Sequence, residues 1–226
     1  MEMMKRYAVY YAPPAGKFWD RASRWLGWDA AAGMALVPPD LGVDAEAITR
    51  DPRKYGFHAT LKPPFRLAEG VTPQALEAGL AAMARGLSPV MLDGLRLKSM
   101  GGFLALVPEG DTRRLEALAG EVVRGLDSFR APLTEAEIAR RCPDRLSPRQ
   151  RELLDRYGYP FVMEEFRFHL TLTDRLPEAE AAELSRVLTA HFAPVLPRPF
   201  AIGDLCLFGE AQDGRFHLLH RYALSG

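Results

Sequence analysis

Cysteine is nearly absent from the 226 residues. Only Cys142 and Cys206 occur, too few for a disulfide framework or a thiolate metal cluster, so a reducing, cytoplasmic setting is expected. Net charge is absent as well. Lys plus Arg number 29 against 29 Asp plus Glu, so no field of the whole molecule steers it onto long nucleic acid or an anionic membrane. Any anion binding must be local. The apolar run Phe103 to Pro108 falls far short of the roughly 20 residues a membrane span needs. The apolar stretch after Lys5-Arg6 stops at Pro13-Pro14, too early for a signal peptide. Four chemical signatures are missing too: Gly-x-x-x-x-Gly-Lys-Ser/Thr, Gly-x-Gly-x-x-Gly, Gly-x-Ser-x-Gly and His-Glu-x-x-His. Their absence counts against nucleoside triphosphate or dinucleotide cofactors, a serine-elbow hydrolase and a zinc protease, and neither a cofactor nor a metal is expected.

What is present reads as an ordinary folded chain, 48% hydrophobic and 26% charged. Tyr7 to Tyr11 predicts a first strand, and Lys17 to Trp28 a helix with Phe18, Ala22, Trp25 and Leu26 on one stripe. Prolines 38, 39 and 52 predict an irregular loop from Ala35 to Arg53. Phe57 to Leu67 reads as a strand, and Thr72-Pro73 opens a helix carrying Leu76, Leu80, Met83 and Leu87. Val90 to Leu97 and Gly102 to Val107 predict a hairpin. Asp111 caps a helix with Leu115, Leu118, Val122 and Leu126 on its apolar face. An Arg-rich helical insert of about residues 131–158 follows, with Thr134 and Glu137 forming a capping-box pattern and Ser147-Pro148 opening a second helix. Phe161 to Leu176 is expected as a strand region, Pro177 to Phe192 as an amphipathic helix, and Phe200 to Phe208 with Arg215 to Leu224 as a closing hairpin.

The order strand, helix, two strands thus occurs twice, a duplication at the level of pattern. It predicts an α+β fold: two pseudo-symmetric lobes with antiparallel-rich sheets facing a central cleft and helices outside, one bilobal domain over residues 1–226. Each copy carries a matched motif. Phe57-His58-Ala59-Thr60-Leu61-Lys62 and Phe168-His169-Leu170-Thr171-Leu172-Thr173 place their histidines 111 residues apart (169 − 58). On a strand, side chains alternate, so His58, Thr60 and Lys62 share one face, as do Arg167, His169 and Thr171. A single strand histidine is ordinarily structural. Two matched polar rows converging on a cleft supply two imidazoles, two hydroxyls and one or two cations, a set suited to a phosphate.

These two motifs, Tyr55 to Phe65 and Phe166 to Leu172, resemble the paired His-x-Thr signatures of the 2H phosphoesterase superfamily. More narrowly they resemble the DUF1045 family, whose members are often encoded in bacterial phosphonate-utilisation operons. The resemblance implies a metal-independent phosphodiesterase. Histidine suits the chemistry, because an imidazole titrating near 6.5 serves as either base or acid at neutral pH. His58 and His169 are the expected proton-transfer pair, and the near-symmetry of the motifs leaves open which one is the base. Thr60 and Thr171 are expected to donate to the phosphate oxygens, with Lys62 and Arg167 as further phosphate contacts. Tyr7 and Tyr11, alternating onto one face of the first strand, and Arg140-Arg141 in the insert are candidate cleft residues. The operon association points to 5-phosphoribosyl 1,2-cyclic phosphate as substrate. Two other readings stand beside it: an RNA or nucleoside 2′,3′-cyclic phosphodiesterase, and a non-catalytic module that binds a phosphate ligand. The expected partner is a small cyclic phosphate or nucleotide, rather than long nucleic acid or a membrane.

Overall fold

The structure is a computed structural model that describes residues 4–226. It begins with β1 (Tyr7–Tyr11) and α1 (Lys17–Leu26), which ends where Gly27 turns left-handed at φ 75°. The segment expected as an irregular loop holds β2 (Trp28–Asp29) paired with β3 (Met34–Ala35), then two short helices, α2 (Ala45–Ile48) and α3 (Arg50–Tyr55). Pro52 sits in the first turn of α3, where its missing N–H has no intrahelical partner to lose. Then come β4 (Ala59–Phe65) and α4 (Pro73–Gly86), whose Thr72 hydroxyl accepts the Ala75 N–H at 3.2 Å. The expected strand over Val90 to Leu97 breaks at Asp93 into β5 (Val90–Leu92) and β6 (Gly94–Met100), and β6 turns at Gly101-Gly102 into β7 (Phe103–Glu109).

The second half continues with α5 (Arg113–Gly125) and the insert helices α6 (Glu135–Ala139) and α7 (Pro148–Tyr157). Both insert helices open on a formed capping box, Thr134 with Glu137 and Ser147 with Gln150. Leu153, Tyr157 and Val162 dock the insert against Val123 of α5. The strand expected over Phe161 to Leu176 shrinks to β8 (Leu170–Thr171), because the flanking chain spends its hydrogen bonds elsewhere. The Leu104 N–H goes to the Thr173 hydroxyl at 2.9 Å, and the Asp174 N–H to the Ile48 carbonyl at 2.7 Å. Then come α8 (Glu178–Phe192), β9 (Phe200–Ile202), β10 (Asp204–Glu210) and β11 (Phe216–Ala223). Among the described residues, no helix is long and apolar enough to cross a membrane.

The fold is mixed α+β with antiparallel sheets. One sheet has the order β11-β10-β1-β4 and another β6-β7-β8, while β5 pairs with β9. The two repeats seen in sequence are interleaved in space. The hairpin that follows β4 and α4 joins β8, and the hairpin that follows β8 and α8 joins the sheet of β1 and β4. Accordingly α4 packs on β10 and β11, whereas α8 packs on β6 and β7. A continuous apolar cluster, from Val9 and Leu61 to Leu106 and Leu170, ties both sheets together. Each histidine motif thereby lies on the edge strand of its sheet, β4 in one and β8 in the other.

Candidate functional site

His58 lies just before β4 and His169 just before β8. Each imidazole is fixed in the same way. The Nδ1 of His58 is 2.9 Å from the Gly56 carbonyl, and that of His169 is 2.7 Å from the Arg167 carbonyl, in both cases two residues upstream. A carbonyl only accepts, so Nδ1 carries the proton and Nε2 is left as the atom that can act. Gly56 makes this possible: at φ 72° and ψ −179° it occupies a region essentially confined to glycine, and a Cβ there would meet the Ala30 Cβ at 2.7 Å.

A cavity of about 490 Å³ opens beside these strands, lined by His58, Thr60, Thr171 and Thr173 together with the aromatics Tyr10, Tyr55, Phe103 and Tyr159. His169 is not one of the lining residues; its ring lies 5.6 Å from that of Phe103, which is. The Thr60 hydroxyl stands 3.3 Å from His58 Nε2. Tyr10 stacks on His58 with centroids 3.9 Å apart, and Tyr55 flanks it at 5.8 Å. Burial among these rings pushes the His58 pKa down to about 4, with a further downward push from His169. Burial also lowers His169. Both imidazoles are thus biased toward the neutral form, and His58 is the harder to protonate.

Two segments meet through Asp174. Its carboxylate accepts the backbone N–H groups of Arg50 (2.9 Å) and Asp51 (3.0 Å), capping α3, the helix that leads into Gly56 and His58. The chain after His169 thus clamps the chain before His58.

Several expected site residues lie elsewhere. Lys62 is buried, its Nζ donating to the Val123 carbonyl at 3.2 Å, 3.5 Å from Asp127 and over the Phe65 ring. The cause is a bulge: Tyr10 pairs with Thr60 but Val9 with Lys62, so one extra residue in β4 turns Lys62 to the face opposite Thr60. Arg167 is exposed and lines a separate groove with Arg96 and Lys98, its Nη1 donating to the Glu164 and Phe166 carbonyls. Tyr7 and Tyr11 are buried in the core, Tyr11 against Phe168 and Phe200; the cleft face of β1 is presented by Tyr10. Arg140 is exposed and away from the cavity, whereas Arg141 lines it. Sequence reasoning passed over Tyr10, Tyr55, Tyr159, Arg6 and Arg175. For Tyr10 the signal was available, since it alternates with Tyr7-Val9-Tyr11; for the others it was not, because the end of α3 brings in Tyr55 and irregular segments bring in Arg6, Tyr159 and Arg175.

Residues 60–217 match a family model described as protein of unknown function (DUF1045). The ribose 1,5-bisphosphate phosphokinase PhnN of Janthinobacterium sp. (strain Marseille) is 38% identical over 222 residues, covering 94% of this chain and 49% of that protein. Its namesake from Laribacter hongkongensis (strain HLHK9) is 38% identical over 214 residues, covering 92% and 49%. The chain spans about half the length of these curated relatives. Among solved structures, E. coli LigT complexed with 3′-AMP is similar at 17% identity and a TM-score of 0.46, covering 99% of this chain and 100% of that one.

Proposed function

We propose that this chain, which belongs to the DUF1045 family, hydrolyses a small cyclic phosphodiester by two-histidine general acid and base catalysis. The observation that carries the reading is the matched fixing of His58 and His169 by the carbonyls two residues upstream, with a threonine two residues downstream of each on the cavity wall. Neutral His58 takes a proton from water through Nε2 as the water attacks phosphorus. The bond from phosphorus to one ring oxygen breaks, and protonated His169 delivers its Nε2 proton to the departing alkoxide. Each positioned transfer contributes typically about 10²- to 10⁴-fold. Thr60 and Thr171 donate to the non-bridging oxygens, where charge grows in the transition state. The deeper burial of His58 suits it to the base, and the arriving phosphate, being anionic, favours the protonated form of His169. The scheme calls on no metal ion.

The sharpest substrate within this reading is 5-phosphoribosyl 1,2-cyclic phosphate. Breaking its bond from phosphorus to O2 leaves ribose 1,5-bisphosphate, the compound in the name of the relatives' kinase. The chain itself has no Gly-x-x-x-x-Gly-Lys-Ser/Thr cradle for a nucleoside triphosphate, so the kinase activity is not carried over. The aromatic wall of Tyr10, Tyr55 and Tyr159 supports a nucleoside 2′,3′-cyclic phosphate as the second reading, since it can stack a base.

The test is release of phosphomonoester from a panel of both substrate types with chelator present, by the wild-type chain and the His58→Ala and His169→Ala variants. Turnover that survives chelator and is lost in both variants is expected. Full turnover in either variant would overturn the two-histidine assignment. Ligand binding without turnover on any cyclic phosphate would favour a binding module.

A further inference from the structure

We infer that Arg141, with the phenols of Tyr55 and Tyr159, forms a second anion subsite in the cleft, one that takes a phosphate monoester carried by the substrate away from its scissile phosphate. The inference deepens the cyclic phosphodiesterase reading and rests on it for the identity of the scissile group. Three arginines line the cavity. Two of them are engaged: Arg6 is ion-paired with Glu210, and Arg175 donates to the Gly101 carbonyl at 2.6 Å. Arg141 is half-buried, and among the described residues its guanidinium has neither an ion pair nor a side-chain hydrogen bond. The carboxylates on the same wall are also committed elsewhere, Asp174 to the first amides of α3 and Asp51 to Lys54.

The other insert arginines do not reach the cavity. Arg149 pairs with Glu152 and Glu164, Arg151 donates to the Pro143 carbonyl, and Arg156 lies over Tyr157. Arg141 instead lies over the ring of Tyr159, 4.8 Å from its centroid. That contact holds the planar fork at the cavity wall before any ligand arrives, so less side-chain entropy is lost on binding. A guanidinium on the cavity wall, weakly hydrated and with a planar fork of donors, matches the oxygens of a phosphate monoester.

The spacing separates this subsite from the catalytic one. Tyr55 is the ring next to His58, Tyr159 lines the same cavity, and Arg141 lies over Tyr159. The guanidinium thus stands on Tyr159 and the His58 imidazole beside Tyr55, two different rings of one wall. The ligand class that satisfies both is a small cyclic phosphodiester bearing a second phosphate on the same carbon skeleton.

The experiment compares 5-phosphoribosyl 1,2-cyclic phosphate with ribosyl 1,2-cyclic phosphate, which lacks the second phosphate. Arg141→Ala is expected to lower kcat/KM for the first by about 10- to 100-fold, the range for a lost charge-assisted hydrogen bond, and to leave the second unchanged. Arg141→Lys is expected to recover part of the loss, keeping the charge without the fork. An equal loss on both substrates would overturn the subsite and make Arg141 a support for Tyr159. In parallel, binding of ribose 5-phosphate is measured calorimetrically with the wild-type, Arg141→Ala and His58→Ala chains. Weaker binding in Arg141→Ala alone supports the subsite even if no cyclic phosphate is turned over, and binding unaffected by Arg141→Ala overturns it.

Discussion

Replacing Lys62 with methionine separates a structural cation from a substrate-binding one. Lys62 is 1% exposed, and burial pushes its pKa from 10.5 down to about 8 despite the neighbouring Asp127. That drop corresponds to about 3 kcal/mol of stability that the charged form costs the folded state. The sign follows from proton counting. Between pH 8 and 10.5 the unfolded chain holds a proton that the folded chain has released, so wild-type stability rises with pH across that window, and below pH 8 the full cost is present. Methionine fills a similar volume without a charge. It forfeits the hydrogen bond to the Val123 carbonyl, about 1 kcal/mol, while the pair with Asp127 is already contained in the net shift. A net gain of about 1–2 kcal/mol at pH 7.5 is expected, read as a rise of about 3–6 °C in thermal midpoint, with turnover of cyclic phosphate unchanged. At pH 10.5 the gain disappears. The same midpoint difference at both pH values would refute charge burial as the cause, and lost turnover with an unchanged midpoint would return Lys62 to the substrate site.

The pH dependence of kcat/KM reports the free enzyme, in which the proposed mechanism requires His58 neutral and His169 protonated. Burial lowers both, so kcat/KM is expected to fall about tenfold per unit above pH 6.5, and a flat profile from 6.5 to 8 would contradict the assigned roles. Tyr10→Leu removes the ring stacked on His58, and the His58 pKa is expected to climb from about 4 toward 6.5 in an NMR titration; an unmoved value would exclude stacking and burial by Tyr10 as its cause. Gly56→Ala forces a Cβ into Ala30 and a side chain into a glycine-only conformation. It is expected to cost about 1–3 kcal/mol in denaturant unfolding and, by displacing His58, about 100-fold in turnover. Wild-type turnover in that variant would show that the Gly56 carbonyl does not position the imidazole.

The elements that local chemistry specifies were legible in the sequence. Thr72-Pro73 opens α4, Thr134 with Glu137 opens α6, and Ser147-Pro148 with Gly158 brackets α7, because caps and terminal residues satisfy backbone groups within a few positions of themselves. What depends on distant partners was not legible. The chain after Thr171 reads as strand by pattern, yet Asp174 bonds to Ile48 and caps α3, a contact 124 residues away from Arg50. The exchange of hairpins between the two repeats is hidden for the same reason. Periodicity identifies a hairpin but does not say which strand it will join, β8 for the first and β1 for the second.

The candidate site shows where the alternation rule fails. From His58 the rule extends one polar row through Thr60 to Lys62, and it holds for the first step only, because the bulge between Thr60 and Lys62 inserts a residue and turns the lysine inward. Register with β1 carries the consequence across the sheet. Tyr10 faces the cleft because it pairs with Thr60, and Tyr7 and Tyr11 therefore face the core. The same neighbour breaks the symmetry of the histidines. Two nearly identical motifs cannot differ in basicity on their own account, but His58 receives Tyr10 and Tyr55 against its ring whereas His169 meets only Phe103 among the described aromatics. Under the proposed mechanism the division of labour between base and acid would be set by β1 and α3, elements outside the duplicated pattern, which is why the motifs alone left it open.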